Sequence, residues 1–173
     1  MTAGKIIKYS VVFLIYFLVQ ALMLKNLVLF GTAFCFLYVF FILSLPQEIK
    51  SVALMLIGFL LGLALDFFYD SLGMHAASCV LLAFLRNPWI KVNTPIGGYD
   101  DNVPPTLLNM GFGWFTVYSL PLIFLHHLLF FYIDILGTEL YLQLVTRVVS
   151  SVIFTFILGT IVQAIFYKKE RII

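Results

Sequence analysis

Gly58-Phe-Leu-Leu-Gly62-Leu-Ala-Leu-Asp66-Phe-Phe-Tyr-Asp70-Ser-Leu-Gly73-Met-His75 places two glycines and two carboxylates four residues apart in an otherwise apolar run. On a helix, Gly58, Gly62, Asp66 and Asp70 stack into one stripe. Glycines have no Cβ and let another helix backbone approach closely. An ionised carboxylate in hydrocarbon is costly, so the stripe faces protein or a water-filled cavity. Two readings follow. One is helix packing with Asp70 at the lipid–water interface. The other makes Asp66 part of a buried polar site, with His75 just beyond it.

The whole chain agrees with a membrane setting. It has 173 residues, 63% hydrophobic and 10% charged, with a mean hydropathy of +1.10. A soluble domain is nearer half apolar and a quarter charged. This composition reads as an integral membrane protein without a separate soluble domain. The net charge of +2 gives no case for nucleic acid. Cys35 and Cys79 lie in apolar runs without CxxC spacing, and read as buried reduced thiols. The apolar run after Lys5 and Lys8 is too long for a signal-peptide core and lacks a small-x-small cleavage site, so it reads as a retained helix.

Six apolar runs predict an all-α integral membrane protein: a single bundle of six transmembrane helices at about 6–24, 27–45, 49–69, 74–90, 112–133 and 141–167. The fourth is the weakest. Met74–Leu85 covers well under 30 Å at ~1.5 Å per residue, and Arg86-Asn87-Pro88 ends it or carries it on irregularly through Trp89 and Ile90. The one long polar segment is 91–111, rich in proline and glycine. Loops beyond ~12–15 residues are usually functional or disordered. The expectation is an ordered loop pinned by Trp89 and Tyr99, with Asp100 and Asp101 as further contact candidates. Lys5, Lys8, Lys50, Arg86, Lys91, Lys168, Lys169 and Arg171 all fall on one side, which places both termini and loop 91–111 in the cytoplasm.

The chain carries no HExxH, GxSxG, Gly-rich phosphate loop or CxxC, so no catalytic set, cofactor site or metal centre is expected. Asp66, Asp70 and His75 are one ligand short of the four that a structural metal site usually takes. Counting along the spans puts Gln20, Asp66, His126, His127 and Arg147 at one depth, ~21–26 Å from the cytoplasmic side. Arg147 is the basic residue well inside a span and Asp66 the acid, which predicts an Asp66–Arg147 ion pair between the third and sixth spans. The adjacent His126 and His127 point ~100° apart on a helix, so one is expected to face the bundle and the other a neighbour or the interface.

Gly62-x-x-x-Asp66 and Gly73-x-His75-Ala76, Gly98-Tyr99 through Pro105-Thr106, Gly111-Phe-Gly-Trp-Phe and His126-His127-Leu-Leu-Phe together resemble MreD, the rod shape-determining membrane protein family. The likeness runs through nearly the whole chain. It implies a non-enzymatic scaffold of the cell-elongation complex in the bacterial cytoplasmic (inner) membrane. It implies binding to MreC, a bitopic protein with one transmembrane helix and a periplasmic coiled coil. It also implies work alongside MreB, RodA and its penicillin-binding transpeptidase in peptidoglycan synthesis and cell shape. That family is similar in fold to the S components of vitamin importers, so the alternative is a binder of a small molecule or membrane lipid. The first span is bulky and lacks the small-x-x-x-small face through which S components dock, which disfavours that alternative.

Overall fold

The computed structural model describes residues 3–94, 98, 103–138 and 140–168. In chain order, α1 (Ala3–Leu18) continues as a π-helix (Val19–Leu24). A small hairpin of β1 (Val28–Leu29) and β2 (Ala33–Phe34) and a short α2 (Val39–Leu43) follow. Then come α3 (Ser51–Tyr69), α4 (Met74–Val92), α5 (Leu107–Met110), α6 (Phe112–Asp134) and α7 (Tyr141–Phe166). Ala3–Leu24, Ser51–Tyr69, Phe112–Asp134 and Tyr141–Phe166 are long and apolar enough to cross a membrane. The chain is a mainly helical membrane protein.

Contacts between helix ends fix their alternation. Lys5 Nζ lies 3.7 Å from Glu48. The Asn87 amide donates to Ser51 at 3.0 Å, the Trp114 indole to the Asn93 carbonyl at 2.8 Å, and Leu107 N–H to Gln163 at 2.8 Å. The starts of α1, α3 and α6 and the ends of α4 and α7 thus share one end of the molecule. Lys5, Lys8, Lys50, Lys91 and Lys168 sit there too, and it is called the basic end below.

The glycine stripe meets α4. A Cβ at Gly62 would lie 2.5 Å from the Ala76 backbone, and one at Gly58 would lie 3.0 Å from the Cys79 carbonyl. Without glycine at these positions α3 and α4 could not pack so extensively. The stripe ends at Asp70, which is exposed and closes α3 with a left-handed φ of 53°.

The helix α4 runs on to Val92, straight through Pro88. A proline costs one backbone hydrogen bond and disfavours helix just before it. Here packing overrides that preference. Arg86 and Ile90 are buried, and the Trp89 indole donates to the Tyr118 carbonyl of α6 at 3.1 Å. Trp89 therefore belongs to α4 rather than to the following loop.

The second apolar run, 27–45, is not the expected helix. It turns at Phe30 and Gly31, both at positive φ (53° and 71°), with Thr32 N–H donating to the Leu29 carbonyl at 3.1 Å. Val28 pairs with Phe34 and Leu29 with Ala33. The chain then passes without regular structure through Cys35 and Phe36 and tightens into α2. Tyr38, Val39, Phe40, Ile42 and Leu43 are each 0% exposed. A segment buried on every side has no amphipathic period, and hydropathy alone cannot tell it from a membrane helix. Non-helical backbone survives at membrane depth where protein surrounds it and satisfies its polar groups.

Candidate functional site

The polar centre of the bundle is built around that non-helical segment, and α7 supplies its longest wall. Ser151, Thr155, Gly159 and Gln163 recur every four residues and form one ridge along α7. Phe34 N–H donates to Ser151 Oγ at 2.9 Å, and Phe36 N–H donates to Thr155 Oγ1 at 3.0 Å. At Gly159 the place of a Cβ is filled by the Phe40 ring. Gln163 Nε2 donates to Ser44 Oγ at 2.7 Å. Ser151 and Thr155 thus give the backbone N–H groups of Phe34 and Phe36 the partners that a helix would have supplied, while Gly159 and Gln163 seat the side chains of Phe40 and Ser44. Sequence reasoning missed this ridge, although its four-residue spacing was as visible as the stripe on α3.

The other walls add further hydrogen bonds. Gln20, in the π-helix, donates to the Cys35 carbonyl at 2.9 Å and to Tyr69 Oη at 2.8 Å. His127 Nδ1 donates to the Ile123 carbonyl at 2.8 Å. That bond fixes the proton on Nδ1 and leaves Nε2 to accept from the Thr155 hydroxyl at 3.1 Å. His126 Nε2 lies 3.0 Å from Tyr38 Oη. Both histidines are 0% exposed. The expectation that one of them would face outward fails, because the inserted segment and α7 flank α6 on two sides. Phe36 sits at the hub, its ring centroid 5.6, 5.9 and 5.0 Å from those of His75, His126 and His127.

Asp66 has a different role from the expected ion pair. Its two oxygens accept the backbone N–H groups of His75 and Ala76, each at 2.9 Å. Ser71 Oγ donates to it at 2.6 Å, and His75 Nδ1 lies 3.0 Å away. A buried carboxylate thus caps the N-terminus of α4, where free N–H groups and the helix dipole favour negative charge. The glycine stripe brings α3 close enough to deliver it. Arg147 instead pairs with Asp134 at 3.0 Å, with both side chains about one-third exposed. The Asp66–Arg147 pair is replaced by these two separate arrangements. Tyr99, Asp100 and Asp101 lie outside the described residues.

Arg86, read from sequence as a cytoplasmic flank, is 0% exposed. Its Nε donates to Tyr118 Oη at 3.0 Å and its Nη1 to Asn87 at 3.1 Å. Its Nη2 donates to the carbonyls of Leu43 and Leu45. Tyr118 Oη passes its own hydrogen to the Leu43 carbonyl at 2.9 Å. The guanidinium therefore closes the C-terminal end of α2, where carbonyls have no helical partner.

Asp66, Ser71 and His75 bring together the residue types of a hydrolase triad but not its geometry. Ser71 Oγ and Asp66 Oδ1 both lie against His75 Nδ1, at 2.8 and 3.0 Å. A general base needs the carboxylate on one ring nitrogen and the nucleophile on the other. His75 Nε2 and His126 Nδ1 are buried without a hydrogen-bond partner. Among the described residues no group of three or more His, Cys, Asp or Glu side chains is placed to hold a metal. Comparison with family models, curated proteins and solved structures finds no match to this chain.

Proposed function

We propose that the chain is an MreD-like, non-enzymatic scaffold of the cell-elongation complex. It crosses the bacterial cytoplasmic membrane six times with both termini in the cytoplasm. Five passes are the long helices, and segment 27–45 returns the chain between α1 and α3 as the second pass. The basic end faces the cytoplasm, as the distribution of lysines favours.

The observation that carries this reading is the closure of the polar centre. His75, His126, His127 and Arg86 are all 0% exposed, and their hydrogen bonds go to the chain's own groups. A sealed centre offers a substrate no entry, so the lateral apolar surface is left for recognition. On α7, Val145, Val149, Ile153, Ile157, Ile161 and Ile165 recur every four residues and are exposed. They form a ridge of stiff β-branched side chains suited to the groove of a neighbouring helix. The single transmembrane helix of MreC is the partner that the resemblance supplies. MreB, RodA and its transpeptidase would be reached through the same assembly.

Affinity purification of the full chain from native membranes in mild detergent tests this. MreC should be recovered at a fixed stoichiometry, and the triple variant Ile153→Ala, Ile157→Ala, Ile161→Ala should recover less of it while the fold persists. Recovery of a bound vitamin and no MreC would overturn the reading.

A further inference from the structure

A cavity of about 780 Å³ lies between α1 and α7. That volume falls within the range of roughly 300–1,000 Å³ typical of small-molecule sites. Its floor is apolar, with Leu37 and Phe41, and its sides are Val12, Val19 and Val162. Exposed Ile15, Met23 and Phe166 rim it, so it opens on the lateral apolar surface. The run from Val12 to Met23 spans ~16 Å at the usual helical rise, close to one leaflet's half of a ~30 Å hydrocarbon core. One stretch of the wall is polar. Thr106 and Ser44 line the cavity near the basic end and are only 1% and 4% exposed. Thr106 is the N-cap of α5, a position where a threonine hydroxyl normally accepts a helix N–H. Here it makes no such bond, and its hydroxyl has no hydrogen-bond partner among the described residues. Ser44 also has a hydrogen to give. Gln163 Oε1 is taken by Leu107 N–H at 2.8 Å, so Gln163 Nε2 is the donor to Ser44 Oγ at 2.7 Å. The Ser44 hydroxyl accepts that bond and keeps its own hydrogen. Through one amide, two hydroxyl donors are held against an apolar slot.

We infer that this cavity takes one acyl chain of a glycerolipid from the leaflet at the basic end, with the chain's ester carbonyl accepting from Thr106 and Ser44. A buried donor left without an acceptor is costly. A carbonyl oxygen has two lone pairs and no hydrogen, so one such oxygen can serve both hydroxyls. The apolar walls take the chain, which follows α1 from Val12 towards Met23. Recognition falls on the ester and the chain, and no headgroup charge enters it. The site shares no residue with the α7 ridge offered to a protein partner, so the two readings can fail separately.

The full chain is placed in nanodiscs of equal diacyl and dialkyl-ether phosphatidylcholine with chains of one length, released into mild detergent and weighed by native mass spectrometry. The ether lipid has the same chains and headgroup but no carbonyl. One diacyl lipid per chain should remain, in about tenfold preference to the ether lipid. Thr106→Val, which keeps the shape and removes the hydroxyl, should bring that preference close to one. Val162→Trp, which fills the slot and leaves both hydroxyls, should lower retention of either lipid. If a variant does not fold, the native chain still decides the matter. A phosphatidylcholine with a photoreactive acyl chain should label residues near Val12 and Val162. Equal retention of diacyl and ether lipid by the native chain, an unchanged preference in folded Thr106→Val, or labelling centred on the outward face of α3 would overturn the inference.

Discussion

At Gly62 a single methyl group is already too much. The atoms it would strike, 2.5 Å away, belong to the Ala76 backbone, which cannot rotate aside as a side chain can. Gly62→Ala should therefore cost about 1–3 kcal/mol by overpacking, read as a lower melting temperature in detergent. Gly113→Ala, with open space around it, should be neutral or slightly stabilising on the same helix-propensity scale. Equal melting of the two variants would show that α3 and α4 do not approach this closely. The carboxylate one turn further on makes a second prediction at this scale. Asp66→Asn removes a buried charge that caps α4 and should cost ~1–2 kcal/mol. Arg147→Gln breaks a part-exposed pair and should cost under ~1 kcal/mol. Because the two residues serve different partners, the double variant should be additive within ~0.3–0.5 kcal/mol. Asp66→Asn combined with His75→Ala should not be, since these side chains touch. A coupling between Asp66 and Arg147 larger than that between Asp66 and His75 would contradict the structure.

The insert at 34–44 and the α7 ridge form a pair of elements that neither makes sense without. Thr155 accepts from Phe36 N–H and donates to His127. Thr155→Val keeps the shape and leaves both groups buried without a partner, which should cost ~1–3 kcal/mol in thermal unfolding. Thr146→Val, on the exposed side of the same helix, should stay within ~0.5 kcal/mol. Equal effects would mean that the ridge does not carry the insert. This is also where the sequence was least legible. The α3 stripe could be read because glycine and aspartate are rare in apolar runs, and their spacing alone points to a close contact. Residues Cys35 to Leu45 are almost wholly apolar, and such a run fits a helix or a buried non-helical segment equally well. The deciding information lay outside it. One part was Gly31, which permits the hairpin turn. The other was the Ser151, Thr155, Gly159 and Gln163 series, small or hydrogen-bonding residues suited to meeting exposed backbone.

For the molecule as a whole, composition and basic-residue asymmetry were enough to read a helical membrane protein with a basic end. The buried polar residues were legible as a group but not as an arrangement. Gln20, His126 and His127 do gather at the centre, and Asp66 reaches it through His75. Depth counting wrongly added Arg147, because it ignores which way a side chain points. It also missed Arg86, because a basic residue beside a proline reads as a helix flank. Gln20 and Arg86 serve the backbone of the second apolar run, at the carbonyls of Cys35, Leu43 and Leu45, and Ser151 and Thr155 serve its N–H groups at Phe34 and Phe36. They satisfy peptide groups that would otherwise be stranded in a medium without water. The measurement that tests this most directly is magic-angle-spinning NMR of the isotope-labelled chain in lipid bilayers, read as backbone chemical shifts along residues 27–45. The structure predicts extended shifts at Val28–Leu29 and Ala33–Phe34, non-helical shifts at Cys35 and Phe36, and helical shifts confined to Val39–Leu43. One unbroken helical run from Leu27 to Leu45 would contradict it.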